Sequence, residues 1–162
     1  MLRDPSLIQL SRQHHNTLSL CVRLGRALQA PAVDLGAWQL EVHQHYANEV
    51  QLHFTPEEKV LFPAARRFPE LAALVEELSA EHERLRNYFL NAEQGTMNHG
   101  ELETFAKFLS AHIRKEERQL FEAMPQRMRQ EELKSLGDEL ARALEDAVQV
   151  CRIGIAGTSS QV

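Results

Sequence analysis

A chain of 162 residues is long enough for one domain with a hydrophobic core and too short for two comfortable ones. Its 43% hydrophobic and 25% charged residues are those of a globular protein, and a formal net charge of −5 leaves no basic stripe for a phosphate backbone, which argues against nucleic acid as a partner. The start, Met1-Leu2-Arg3-Asp4-Pro5, lacks the apolar core of a secretory signal, no apolar run reaches membrane-spanning length, and the widely separated Cys21 and Cys151 agree with a reducing compartment, so a cytoplasmic location without membrane association is expected.

Leu7, Leu10, Leu18, Cys21, Leu24 and Leu28 recur at three- and four-residue steps and predict a first helix with one buried face, ended by Ala30-Pro31. Cys21 reads as a small buried hydrophobe. A second helix is predicted from about Trp38 to Phe62, with Tyr46, Val50, Val60 and Leu61 on one side and Pro63 and Pro69 marking its exit. The third, from about Pro69 to Ala92, carries Leu71, Leu74, Val75, Leu78, Leu85 and Phe89, and Gly95 and Gly100 bracket the loop after it. The fourth, from about Glu101 to Met124, turns Leu102, Phe105, Leu109, Ile113 and Leu120 inward and stops before Pro125. A fifth segment, about Gln130 to Val150, has Leu133, Leu136, Leu140 and Leu144 at helical spacing, interrupted by Gly137; it closes one side of the bundle or makes a homodimer contact. The expected architecture is all-α: residues 1–150 form an up-down antiparallel four-helix bundle with an additional C-terminal helix, and 151–162 form a flexible tail.

The two halves repeat each other. His53-Phe54-Thr55-Pro56-Glu57-Glu58-Lys59-Val60-Leu61-Phe62 matches His112-Ile113-Arg114-Lys115-Glu116-Glu117-Arg118-Gln119-Leu120-Phe121 at its His, both Glu, Leu and Phe positions. Upstream, Leu10-Ser11-Arg12-Gln13-His14 matches Leu78-Ser79-Ala80-Glu81-His82. Each half therefore supplies a helix bearing one His and a helix bearing His-x-x-x-Glu.

Residues four apart share a helix face, so His-x-x-x-Glu aims an imidazole nitrogen and a carboxylate oxygen at one place, where a cation can sit. Taking about 100° per residue, the apolar direction of the first helix picks His14 over His15, and the same construction turns His53, Glu57, His82, His112 and Glu116 inward. Glu58 and Glu117 turn outward and are expected to be solvated. Burying six such groups without partners would cost several kcal/mol each, a cost that a metal removes; iron, manganese and zinc all suit mixed His and carboxylate ligation. Two readings of Pro56 stand: a helix start capped by Thr55, with Glu58 completing a capping box, or a kink in one long helix. His45 and Glu49 are read as solvated, His43 and His99 as lacking a convincing partner, Tyr46 as core, and Arg86 as able to pair with a carboxylate at the bundle surface.

These residues resemble the hemerythrin-like, or HHE cation-binding, family in His14, the run His53 to Pro63, Glu81-His82-Glu83, and His112 to Glu116. The resemblance, over about Leu7 to Met124, implies an up-down four-helix bundle holding two iron ions in a non-haem di-iron centre with an oxo or hydroxo bridge, and makes Glu57 and Glu116 the bridging carboxylates. Zinc and manganese stay open as alternatives. Oxygen-carrying members supply two histidines four apart from the third helix, whereas here His82 is followed by Arg86. That departure points away from simple oxygen transport and towards binding or sensing of a small diatomic ligand such as oxygen or nitric oxide, or of iron or redox state. The alternatives are a di-iron oxidoreductase or peroxide-consuming enzyme and a metal-free helical interaction module. No catalytic triad or phosphate loop is visible.

Overall fold

The computed structural model describes residues 4–157, with side chains as far as 149. Asp4 accepts the Ser6 N–H and caps a 3₁₀ turn (Pro5–Leu7) that leads into α1 (Ile8–Ala27). The second rod is continuous but not uniform. It comprises α2 (Leu35–His45), a π turn (Tyr46–Val50), α3 (Gln51–Pro56), a second π turn (Glu57–Leu61) and α4 (Phe62–Arg66). Asp34 begins it by accepting the Ala37 N–H.

The third rod, α5 (Pro69–Glu93), has its proline where the N–H would have no intrahelical partner. Gly95, at φ 67°, turns the chain after it, in the left-handed region that glycine enters without steric cost. A capping box between Asn98 and Glu101 starts α6 (His99–Lys115), which continues through a π turn (Glu116–Leu120) into α7 (Phe121–Arg127). The fifth rod is α8 (Gln130–Gly157). No strand occurs among the described residues.

Three prolines lie inside helices rather than beyond them. Pro63 and Pro125, expected to mark exits, sit within α4 and α7, which run on to Arg66 and Arg127. Pro56 ends α3 in mid-rod, and the Thr55 hydroxyl donates back to the Gln51 carbonyl instead of capping a new helix. The helix-start reading of Thr55 is therefore overturned: the rod passes through this point with altered pitch. The backbone of α8 reaches Gly157, and residues 158–162 and the side chain of Cys151 lie outside the described residues.

The apolar side chains form two separate cores. One gathers Leu7 and Leu10 from the start of the first rod, Leu61, Phe62 and Ala65 from the end of the second, Leu71, Val75 and Leu78 from the start of the third, and Leu120, Phe121 and Met124 from the end of the fourth. The other gathers the opposite ends: Cys21 and Leu24, Val42 and Val50, Leu85 and Phe89, and Leu102 and Phe105. Successive rods thus run between the two cores in alternating senses. On each of the first four rods the sequence between the two apolar sets holds His14, His53 and Glu57, His82, or His112 and Glu116, so a polar belt separates the two halves of the interior.

The fifth rod closes the first core with Leu133, Leu136 and Leu140. It lies against α3, the π turn after it and the N-terminal turn. Gly137, an interruption in the helical pattern, is where α8 comes nearest that turn, since a Cβ there would stand 3.0 Å from Ser6 Cα.

Candidate metal centre

All six inward-facing polar residues named from the sequence converge between the two cores. His14, His53, Glu57, His82, His112 and Glu116 are each no more than 5% exposed, whereas His15 is exposed. Ligand atoms from His14, His53, Glu57 and Glu116 lie within 4.8 Å of one another, and so do those from His82, His112 and Glu116. The carboxylates span both groups. Glu116 places Oε2 3.1 Å from His14 Nε2 and Oε1 3.2 Å from His112 Nε2 and 3.6 Å from His82 Nε2. Glu57 places Oε1 3.1 Å from His53 Nε2 and 3.9 Å from His14 Nε2, and Oε2 3.5 Å from His82 Nε2.

These atoms are near one another without being aligned for hydrogen bonding. All four Nε2 atoms and all four carboxylate oxygens are buried with no hydrogen-bond partner. Each group left so costs about 1–3 kcal/mol, of which attraction between the carboxylates and protonated imidazoles offsets only a part. The donor set fits metal cations: each cluster offers two imidazole nitrogens with carboxylate oxygen beside them, a mixture that suits iron, manganese or zinc.

A family model, the hemerythrin HHE cation binding domain, matches residues 7–124. The chain belongs to this family. No curated protein and no solved structure shows a significant match to it. The matched span of the HHE domain includes every buried His and Glu of the four rods, ends within α7, and leaves α8 outside. A cluster able to hold metal ions is thus present in a family defined by cation binding.

The imidazoles of this HHE domain are held from behind, by residues the sequence reading did not assign to the site. His14 Nδ1 donates to Glu117 at 2.7 Å, His53 Nδ1 to Gln13 at 3.0 Å, His82 Nδ1 to Glu58 at 2.8 Å and His112 Nδ1 to Glu81 at 2.8 Å. Each bond fixes its ring and leaves Nε2 facing the centre. Glu58 and Glu117, expected to be solvated, are thereby corrected. They turn from the metal-facing side, but towards an imidazole of the other half of the chain rather than into water. Their signal was present in the doublets Glu57-Glu58 and Glu116-Glu117 and in Gln13 and Glu81 standing directly before His14 and His82.

Arg86 binds Glu58 at 2.7 Å and Glu83 at 2.6 Å, the carboxylate pairing expected of it, and Lys115 binds both Glu77 and Glu81. Ser11 donates to Glu117 at 2.7 Å. Of the other histidines, His45 meets the Thr17 hydroxyl at 2.9 Å, and His99 Nε2 donates to the Leu28 carbonyl at 2.7 Å and so has a partner after all. Cys21 is buried, as expected, and burial pushes its thiol up to about 12.

The π turns account for a packing detail that uniform helix geometry misplaces. Five residues of regular α-helix carry a side chain about 140° round the axis, yet Glu57 and Phe62 are both buried, as are Glu116 and Phe121. The N–H of Phe62 bonds the carbonyl of Glu57, and that of Phe121 the carbonyl of Glu116, an i to i+5 closure that brings each Phe back over its Glu. The polar belt and the apolar core beyond it can then lie on one face of one rod.

Without metal, the carboxylates hold protons on the imidazoles. Burial alone would lower His14, but Glu116 and Glu117 outweigh it and bring it up to about 9; burial is likewise outweighed at His112 by Glu116 and Glu81, which bring it up to about 10. Glu116 is held well below the usual carboxylate range because the surrounding histidines outweigh its burial. The raised imidazoles stabilise the metal-free fold fully below their unfolded value near 6.5, and that contribution is lost as pH rises through about 9 to 10. The depressed Glu116 works in the opposite sense, its contribution being lost as pH falls below the ordinary carboxylate range. Urea unfolding of metal-free protein is therefore expected to show its midpoint falling between pH 8 and pH 10; a midpoint that is flat across that interval would show the imidazoles to be already neutral.

Proposed function

We propose that this HHE domain holds two iron ions, with His14 and His53 at one, His82 and His112 at the other and Glu57 and Glu116 bridging, and that it binds or senses a small diatomic ligand or redox state. The observation that carries this reading is the set of eight buried donor atoms with no hydrogen-bond partner in a cation-binding family. Iron in such a site would supply a redox couple and, with four protein donors against a usual six, open positions for a small ligand.

What the chain itself contributes is positioning and exclusion. Phe54 stacks on the His82 ring at 3.7 Å between centroids, and Phe121 lies 5.2 Å from that of His14, so the imidazoles are flanked by rings rather than by water. Such surroundings favour small neutral ligands over hydrated anions. Arg86, one turn beyond His82, is turned away to Glu58 and Glu83 and supplies no donor to the centre, which supports a sensor or ligand-binding role over an oxygen carrier's.

The test is metal analysis of aerobically purified protein, with absorption spectra in air, after anaerobic reduction, and with nitric oxide added. About two iron ions per chain and a near-ultraviolet band that responds to reduction or nitric oxide are expected. Iron well below one per chain with no such band would reject the proposal, and sustained peroxide turnover that disappears in Glu57→Ala would assign the site to an enzyme instead.

A further inference from the structure

The two metal positions differ in one respect that the repeat makes visible. Gln13 and Glu81 occupy the same place in the two halves, directly before His14 and His82. Each supports the imidazole of its own half's His-x-x-x-Glu pair, but Gln13 offers His53 a neutral amide oxygen, whereas Glu81 offers His112 a carboxylate. The remaining supports are both carboxylates: Glu117, which also accepts from Ser11, stands behind His14, and Glu58, which is also paired with Arg86, stands behind His82. Glu81 is paired with Lys115, yet a paired carboxylate remains a more basic acceptor than the Gln13 amide. One half of the centre thus has two carboxylates behind its imidazoles and the other has one.

We propose that Gln13 makes the His14–His53 position the weaker, exchangeable half of the metal centre, and that Glu81 makes the His82–His112 position the one that fills first and empties last. This rests on the metal-binding reading above. A carboxylate behind Nδ1–H draws on that proton and raises the electron density at Nε2, so the ring becomes a stronger donor to a cation; an amide oxygen draws less. Partners of this kind shift metal affinity by roughly 10–100-fold.

The donors in front of the cations do not cancel the difference. One oxygen of each bridging carboxylate lies towards either imidazole pair. Compactness alone would argue the reverse order, because four residues close within 4.8 Å on the His14 side and three on the His82 side. The two arguments therefore predict opposite orders of filling, which makes the order decisive. Gln13 is a positioning residue in this scheme and does not touch the metal itself. It is half-buried and, with Arg12 and Glu145, lines an open groove of ≈ 510 Å³ between α1 and α8, so a carboxylate in its place would have access to solvent.

The experiment is a Co(II) titration of the metal-free full chain under a competing chelator, read by visible absorption, for the wild type and four variants whose folding is checked by circular dichroism. Two steps separated by at least about tenfold are expected for the wild type. Gln13→Glu should tighten the weaker step alone and draw the two together, whereas Glu81→Gln should weaken the tighter step alone. His53→Ala should remove the weaker step and His112→Ala the tighter. Equal wild-type steps, a weaker step that disappears in His112→Ala, or support variants that shift both steps alike would each overturn the asymmetry while leaving the metal centre standing. Absence of any Co(II) binding would overturn both readings together. If Gln13→Glu does not fold, Glu81→Gln and the two histidine variants decide the matter.

Discussion

Replacing Glu116 by alanine is expected to abolish retention of both metal ions, where His53→Ala costs one. Glu116 has one oxygen 3.1 Å from His14 and the other 3.2 Å from His112, so its loss reaches both imidazole pairs. Its removal also leaves His14 and His112, both raised by its charge, without their main counter-charge in a water-poor interior. The stability linked to metal should disappear with it, about 2.7 kcal/mol for metal at 100 times its dissociation constant and about 4.1 at 1,000 times. Thermal unfolding with and without chelator measures this directly. Wild-type protein should lose several degrees on chelation and Glu116→Ala almost none; a wild type indifferent to chelation would remove the basis for a metal centre.

Phe121→Ala should cost about 3–5 kcal/mol of stability. The ring is fully buried, belongs to the core that joins all four rods, and lies nearly parallel to the His14 imidazole at 5.2 Å. Its deletion opens a cavity beside a metal-facing imidazole. Weaker metal retention on the His14 side should therefore accompany the lost stability, and denaturant unfolding of metal-free and metal-loaded protein separates the two effects. A loss below 1 kcal/mol in the metal-free protein would mean that the rods collapse to fill the space.

The helices and the six inward polar residues were legible because both rest on the same periodicity. His14 was separable from His15 simply because the two differ by one step round a helix whose apolar direction is clear. What eluded that periodicity were departures from it and relations between rods. The π turns at Glu57 and Glu116 are invisible to a uniform 100° step, although the five-residue spacing from Glu57 to Phe62, repeated from Glu116 to Phe121, carries their trace. Pro63 and Pro125 read as stops because proline usually ends a helix, yet here the rods run through them. Glu58 and Glu117 read as solvated because they leave the buried face of their own helix; a neighbouring rod receives them, and one helix considered alone contains no information about that neighbour.

The crossing of these supports has a consequence for how the protein is made. His14 is held by Glu117, 103 residues away, and His82 by Glu58 from the opposite half. Neither half therefore contains a finished position for a metal ion, and a chain emerging from the ribosome cannot complete one until residue 117 has been synthesised and the fourth rod has docked. Metal uptake becomes a late event in biogenesis, and a stably loaded centre would report that the four His-bearing rods have come together, whether or not α8 has yet been added.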